Sequence, residues 1–344
     1  MIEDSPPEPS APLVSVCVAN YNGEHILGEC LASVLTQQRA PTFEIIVHDD
    51  ASTDASLDAL ARFPSIQIIR AERNVGYCVS NNRMAKAAQG DFLLLLNNDA
   101  RLLQDAMTTL LAMSRRCGHR SILGMPQYDA ESNALIDMGC QLDWTMNPVA
   151  RLSPLAGAPA MVIGACLWIP RTLWLEIGGF PEWFETNAED VYLCCAARWL
   201  GYSVDVSASS GYRHLVGYTQ GGGKVQPTGR LSLNRRRRYL SERNRFLIMW
   251  IFYPRWLLPL VLGLNTIALV LEALVLAICL RDTSLPRDIH WRSQRDAFRL
   301  CKEANMLRRG LLGRRRITIP AFFSLFTFLP QKLRLLVRFG IPSR

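Results

Sequence analysis

An α/β fold built on a mostly parallel sheet is what this sequence predicts, and three observations predict it. From Leu13 to Asp99, short apolar runs alternate with stretches whose apolar residues recur at helical spacing. The runs are continuous rather than alternating, as expected of strands covered by helices on both faces. Three of them end in clusters of Asn, Asp and Ser, the place where open parallel sheets bind ligands.

Residues 1–12, rich in Pro, Glu and Ser, are expected to form a mobile tail and lack the basic and apolar runs of a signal peptide. LVSVCVA (13–19) predicts the first strand and HILGECLASVLTQ (25–37) the first helix. FEIIVHD (43–49) predicts a second strand, with a helix at about 54–62 starting after Ser52 and Thr53. IQIIRA (66–71) is a third strand, VSNNRMAKAAQ (79–89) a helix, and DFLLLLNND (91–99) a fully apolar strand with a polar end. Beyond Gly118 the pattern loosens until AMVIGACLWI, which precedes Pro170. FPEWFETNAEDVYLCCAARWLGY (180–202) then reads as a loop entering a helix that stops at Gly201. SVDVSA predicts a short strand before the segment GYRHLVG, and residues 219–234 are Gly-rich and expected to be mobile.

Composition narrows the possibilities. With 344 residues, 49% hydrophobic and 20% charged, the chain can bury a sizeable core and is not a disordered polymer. Its formal charge of +8 is unevenly spread: residues 1–223 carry 14 Lys and Arg against 24 Asp and Glu, and residues 224–344 carry 24 against 6. Two regions of opposite charge imply two environments, and the domain boundary is expected near 230. Ten cysteines without C-x-x-C spacing argue against a zinc site or a disulfide framework and for a reducing compartment.

The polar strand ends are Asn20-Tyr21-Asn22-Gly23, the segment Asp49–Asp54, and Asn97-Asn98-Asp99. No G-x-G-x-x-G follows the first strand and no G-x-x-x-x-G-K-[ST] occurs, which removes support for dinucleotide oxidoreductases and P-loop nucleotidases. A carboxylate after the second strand suits a base or ribose, and one after the apolar strand suits a divalent cation on a diphosphate. The same residue types also cap helices.

The blocks VSVCVANYNG, VHDDASTDAS and RNVGYCVSNNRMAKAAQGDFLLLLNNDA, followed by GACLWIPRTLWLEIGGFPEWFETNAEDVYLCCAARWLGY, resemble family 2 glycosyltransferases of GT-A fold. They are most similar to bacterial enzymes that add rhamnose and related sugars to surface polysaccharides, and the likeness covers about residues 13–220. It implies a nucleotide-diphosphate sugar donor, a Mn2+ or Mg2+ cofactor and an inverting transfer. By the same likeness, Ala19 and Tyr21 line the base pocket and Asp49 holds the nucleobase. Asn97-Asn98-Asp99 takes the D-x-D place, with Asp99 on metal and diphosphate. Asn97 replaces the first aspartate of that motif, and Tyr192 stands where many relatives carry another aspartate. His214 falls where the family often completes its metal site.

Transfer needs a stabilised leaving diphosphate, a base for the acceptor hydroxyl, and both held in line. Asp190, entering a helix after Gly178-Gly179-Phe180, is the expected base, with Glu189 pointing elsewhere to orient the acceptor or a loop. The alternatives are a catalytically inactive, membrane-bound partner, kept open by Asn97 and Tyr192, and a nucleotidyltransferase, whose basic glycine-rich loop is missing. Nucleic acid is not expected as a partner, because Arg235–Arg238 adjoin an apolar stretch and are expected to grip anionic lipid.

Residues 257–280 contain no Lys or Arg and are long enough to span a bilayer. Yet Glu272 and Asn265 fall inside the stretch, and both flanks are basic, against the positive-inside bias of a single crossing. ITIPAFFSLFTFLP (317–330) is too short to return the chain across. The expected arrangement is therefore a bent helical pair, turning near Gly263-Leu264-Asn265 and followed by basic amphipathic helices. That places residues 231–344 on the cytoplasmic face of the plasma membrane, with a single-pass protein as the alternative. The expected acceptor is a glycan, lipid-linked in keeping with that tail.

Overall fold

A computed structural model describes residues 11–217 and 231–342. The tail expected at 1–12 and the Gly-rich stretch at 219–234 lie outside the described residues, apart from their last few positions.

The first half follows the predicted rhythm: β1 (Val14–Asn20), α1 (Leu27–Leu35), β2 (Phe43–Asp49), α2 (Ser56–Leu60), β3 (Gln67–Arg70), α3 (Tyr77–Ala87) and β4 (Phe92–Asn97). Then come β5 (Ala100–Leu102), α4 (Ala106–Arg116), β6 (Ser121–Gly124), β7 (Gln127–Asp129), β8 (Leu135–Asp137), β9 (Cys140–Asp143), β10 (Pro148–Ala150) and β11 (Cys166–Pro170). α5 (Arg171–Ile177), α6 (Glu189–Trp199), β12 (Ser203–Val206) and β13 (Tyr212–His214) complete the part before residue 218.

The main sheet has seven strands in the order β12-β6-β11-β4-β1-β2-β3. Every pairing is parallel except those of β11, which runs antiparallel to β4 and β6. Strand order reverses between β1 and β4, so their carboxyl ends open side by side into a crevice. Leu93–Leu96 are fully covered, as a central strand between two helical layers must be. A second sheet, in the order β5-β13-β7-β8, stands over the end of β4. Its pairing of His214 with Ala100 carries the histidine to the residue following Asp99.

After residue 230 the chain forms α7 (Arg235–Phe252), α8 (Leu258–Cys279), a π-helical turn at Pro286–Trp291, α9 (Arg292–Arg299), α10 (Cys301–Leu312), α11 (Ile319–Phe323) and α12 (Gln331–Phe339). The boundary expected near 230 does not divide the core. One apolar cluster runs from Cys17 and Leu95 through Trp199 to Phe246, Phe252 and Phe322. Trp199 packs edge-on against Phe252 and Phe322 and donates its indole N–H to the Leu311 carbonyl at 3.2 Å.

One expectation for this region is corrected. No bend separates residues 258–279; α8 is one unbroken helix through Gly263 and Asn265. Its Leu, Val and Ala are strong or adequate helix formers, and one interior glycine costs only about 1 kcal/mol. Of the arginines expected to grip anionic lipid, Arg235 and Arg236 stay exposed and Arg237 and Arg238 are half-buried. Arg235 pairs with Asp282 and Asp288, and Arg238 with Glu242 and Glu272. Glu272, the carboxylate that argued against a spanning helix, is shared with Lys332 at 2.7 Å. Asn265 joins Val261, Leu269 and Leu276 in a narrow buried stripe, while Leu260, Ile267, Val270, Leu271, Leu274 and Ile278 stay exposed.

Candidate active site

A cavity of about 580 Å3 occupies the crevice at the β1/β4 reversal. Ala19 and Tyr21 at the end of β1, Asn97, Asn98 and Asp99 at the end of β4, Glu189 and Asp190 of α6, and His214 of β13 all line it. Eight of the nine site residues chosen from the sequence are thus brought together. The exception is Asp49.

Asp49 is sealed beneath the crevice. Its carboxylate accepts from Asn20 Nδ2 at 3.0 Å, Ser52 Oγ at 2.6 Å and the Ser52 amide at 3.1 Å. Asn20 in turn accepts from Asn98 Nδ2 at 2.9 Å. This network ties the ends of β1, β2 and β4 together, and it explains Gly23: a Cβ there would lie 2.2 Å from Asn20 Oδ1. The residue that reaches the cavity is Asp50, which also fixes the Val75 and Gly76 amides at 2.7 and 2.8 Å. In an Asp-Asp pair at the end of a strand, alternation sends the two side chains opposite ways, and sequence alone does not say which way is in.

At the far end of β4, His214 Nε2 stands 3.0 Å from Asp99 Oδ1. The other ring nitrogen contacts Gln127 Nε2 at 3.0 Å, and Tyr212 donates its hydroxyl to Gln127 Oε1 at 2.7 Å. Asn97 Oδ1 is buried with no hydrogen-bond partner. Among the described residues no group of three or more His, Cys, Asp and Glu is arranged for a metal. One carboxylate and one imidazole make too small a set for an all-protein cage, but they fit a hard cation whose other ligands are phosphate oxygens and water.

Asp190 and Glu189 open α6. Asp190 accepts from the Gly164 amide at 3.0 Å and from its neighbour Val191 at 2.8 Å. Burial raises its pKa above the ordinary carboxylate range even so. Glu189 does not point elsewhere, as expected, but lines the same cavity. Its pKa is raised by burial first and by Asp190 second, and its Oε2 has no partner.

The loop before this pair takes a backbone that L-residues rarely adopt: Glu185, Asn187 and Ala188 have φ of +62°, +68° and +68°. Two side chains of α7 hold it, and sequence reasoning missed both. Asn244 Nδ2 donates to the carbonyls of Phe184, Thr186 and Asn187 at 2.9, 3.0 and 2.7 Å. Arg243 donates to the carbonyls of Trp183 and Phe184 and to the Glu185 carboxylate. The sequence offers little signal, because Arg243 and Asn244 sit within the polar run Ser241–Arg245 that precedes the apolar half of the helix. Tyr192, by contrast, leaves the site alone, because its ring packs against Phe184 and Phe252 in the core.

Two family models match the chain, glycosyl transferase family 2 over residues 15–139 and glycosyl transferase family group 2 over residues 92–291. The chain belongs to the family 2 glycosyltransferases. This family 2 chain is 33% identical over 112 residues to a Bacillus subtilis protein named as a glycosyltransferase of teichuronic acid biosynthesis, a match covering 31% of this chain. The chain spans less than half of that relative's length, 44%. In fold it is similar to a mannosyltransferase from Pyrobaculum calidifontis in complex with GDP-Man and Mn2+, with TM-score 0.52 and 18% identity over 90% of this chain and 88% of the other. It is also similar to GalNAc-T7 with UDP, GalNAc and Mn2+, with TM-score 0.56 and 17% identity over 72% and 49%. The GT-A fold class expected from the sequence is therefore correct.

Proposed function

We propose that this family 2 chain is an inverting glycosyltransferase that moves a sugar from a nucleotide-diphosphate sugar to a hydroxyl of a lipid-linked glycan in surface-polysaccharide synthesis. The observation that carries this reading is the convergence of two chemistries in one cavity. The half-buried Asp190 carboxylate, its pKa raised, stands at the start of α6, and the Asp99–His214 pair stands at the end of β4. The nucleotide lies along Ala19, Tyr21 and Asp50, and Asn97 Oδ1 meets a hydroxyl of the ribose or sugar. Asp99 and His214 would hold Mn2+ or Mg2+, which would supply charge neutralisation for the leaving diphosphate. Asp190 Oδ takes the proton of the acceptor hydroxyl as that oxygen attacks, and Glu189 orients the acceptor. One base on the acceptor side makes a single displacement, hence inversion.

Residues 13–230 supply this chemistry, and residues 231–344 complete its wall and hold the protein to the cytoplasmic face of the membrane. α8 is long and apolar enough to cross, with 28% of its most apolar window buried. Both its flanks pack on the same core, α7 through Phe246 and Phe252 and the later helices through Leu311 and Phe322, which supports a helix lying in one leaflet. Incubating the protein with a panel of nucleotide sugars, with and without manganese or magnesium, tests the function. Metal-dependent hydrolysis of one donor supports it, and none across the panel overturns it.

A further inference from the structure

The first turn of α7 carries four successive arginines, and the turn of the helix sends them to two places. Arg236 and Arg237 line the cavity that contains Asp99 and Asp190. Arg235 and Arg238 turn away, Arg235 to Asp282 just beyond α8 and Arg238 to Glu272 on α8 itself. Around Glu272, α8 exposes Leu271, Leu274, Val275 and Ile278. A single helical turn thus joins the transfer cavity to an extended apolar surface.

We propose that Arg236 and Arg237 receive the phosphate of the acceptor, a polyprenyl-type phosphate or diphosphate carrying a short glycan, whose hydrocarbon lies along α8 in the membrane. This rests on the glycosyltransferase reading and names its acceptor. Three observations favour it. Arg236 pairs with Glu185 at 3.2 Å, in the loop that delivers Asp190, which places it on the acceptor side of the cavity. The Arg237 side chain is partly withdrawn from water, and a desolvated fork of donors suits a phosphate oxyanion better than a neutral sugar. The apolar face is bordered by a strongly basic region, since residues 281–344 carry 15 Lys and Arg against 4 acids, which suits hydrocarbon beneath anionic headgroups rather than a protein partner.

A consequence concerns reaction order. Because Asp190 and the two arginines share one cavity, only a short glycan fits between the attacked hydroxyl and the phosphate. The acceptor is then supplied by a reaction that places the first sugars on a lipid phosphate.

Flotation of the full chain tests this with three vesicles: phosphatidylcholine alone, the same with a polyprenyl phosphate, and the same with phosphatidylglycerol at equal surface charge. The wild type is expected to bind polyprenyl phosphate vesicles about tenfold tighter than phosphatidylglycerol vesicles, the size of one or two charge-assisted hydrogen bonds. Equal binding to the two anionic vesicles overturns the proposal using the wild type alone. The R236Q/R237Q variant should lose the tenfold preference while still floating with phosphatidylglycerol. If it loses binding to a panel of nucleoside diphosphates instead, the arginines serve the donor and the proposal falls. No arm requires turnover, so failure of the donor panel and failure of the flotation are told apart.

Discussion

His214 and Asp99 are 115 residues apart, and their side chains meet at 3.0 Å because β13 pairs with β5 one residue beyond the end of the D-x-D segment. The two donors reach the cavity as a unit. Tyr212 and Gln127 support the ring from behind, so its orientation is set before any ligand arrives.

Removing the carboxylate of that unit should end metal-dependent transfer. Asp99→Ala is expected to abolish activity, and His214→Ala to raise the manganese needed for half-maximal rate by about 10- to 100-fold. Metal titration of initial rates after chelator treatment checks both. Full activity of Asp99→Ala in excess chelator would show that no cation acts there.

Asp190→Asn should lose turnover by about 100-fold or more while donor affinity stays unchanged, because the amide keeps the shape but accepts no proton. Separate measurement of kcat and of donor Kd decides the matter. A loss confined to donor binding would move the base elsewhere.

The raised pKa of Asp190 fixes the sign of the pH dependence. The base is active only when ionised, so the acid limb of kcat/KM should lie above the ordinary carboxylate range, with rate rising as pH rises through it. Stability carries the opposite sign. A carboxylate whose pKa is raised by folding favours the folded state while protonated and loses that advantage as pH rises through the raised value. Glu189→Gln should therefore flatten the fall of Tm between acid and neutral pH, as thermal melts across that range would reveal.

Asn244→Ala should release the left-handed loop. The carbonyls of Thr186 and Asn187 lose this donor and that of Phe184 keeps Arg243, and the expected cost is about 1–3 kcal/mol of stability. Turnover should fall further than the folded fraction does. Asn244→Asp, which offers no N–H, should not restore it, and a variant with normal kcat would reduce Asn244 to packing.

α8 should bind membranes without crossing them. Replacing Leu271, Leu274 and Ile278 by Asn is expected to abolish vesicle flotation and leave the helical content unchanged. Single cysteines at Arg281 and Arg309, both exposed, should resist an impermeant thiol reagent added to intact cells. Labelling from outside at either position would mean that the helix spans.

The sequence made the sheet legible because a central parallel strand leaves an unmistakable mark: Leu93–Leu96 has no polar residue on either face. The polar strand ends were legible for the same reason, as breaks in apolar runs. What escaped were relations across the chain. Asp49 and Asp50 are chemically identical, and only the pleat decides which one faces the cavity. Arg243 and Asn244 lie far along the chain from the loop they hold, and their targets are backbone carbonyls that carry no sequence signature. The bend expected near Gly263 rested on Glu272 and Asn265 inside the stretch and on its two basic flanks, but Arg238 and Lys332 meet the Glu272 carboxylate and Asn265 is buried against the protein, so neither polar residue requires the helix to turn.

That cluster sets a dimension as well as a charge balance. Arg238 pins the middle of α8 to the helix that walls the cavity, and Arg235 pins its far end. A protein resting on the bilayer through α8 therefore holds Asp190 at one height above the headgroups. On the proposed function it would act as a gauge, extending only those chains whose free hydroxyl stands at that height, whatever sugar bears it. Each addition would lift the new terminus out of reach and end its own repetition.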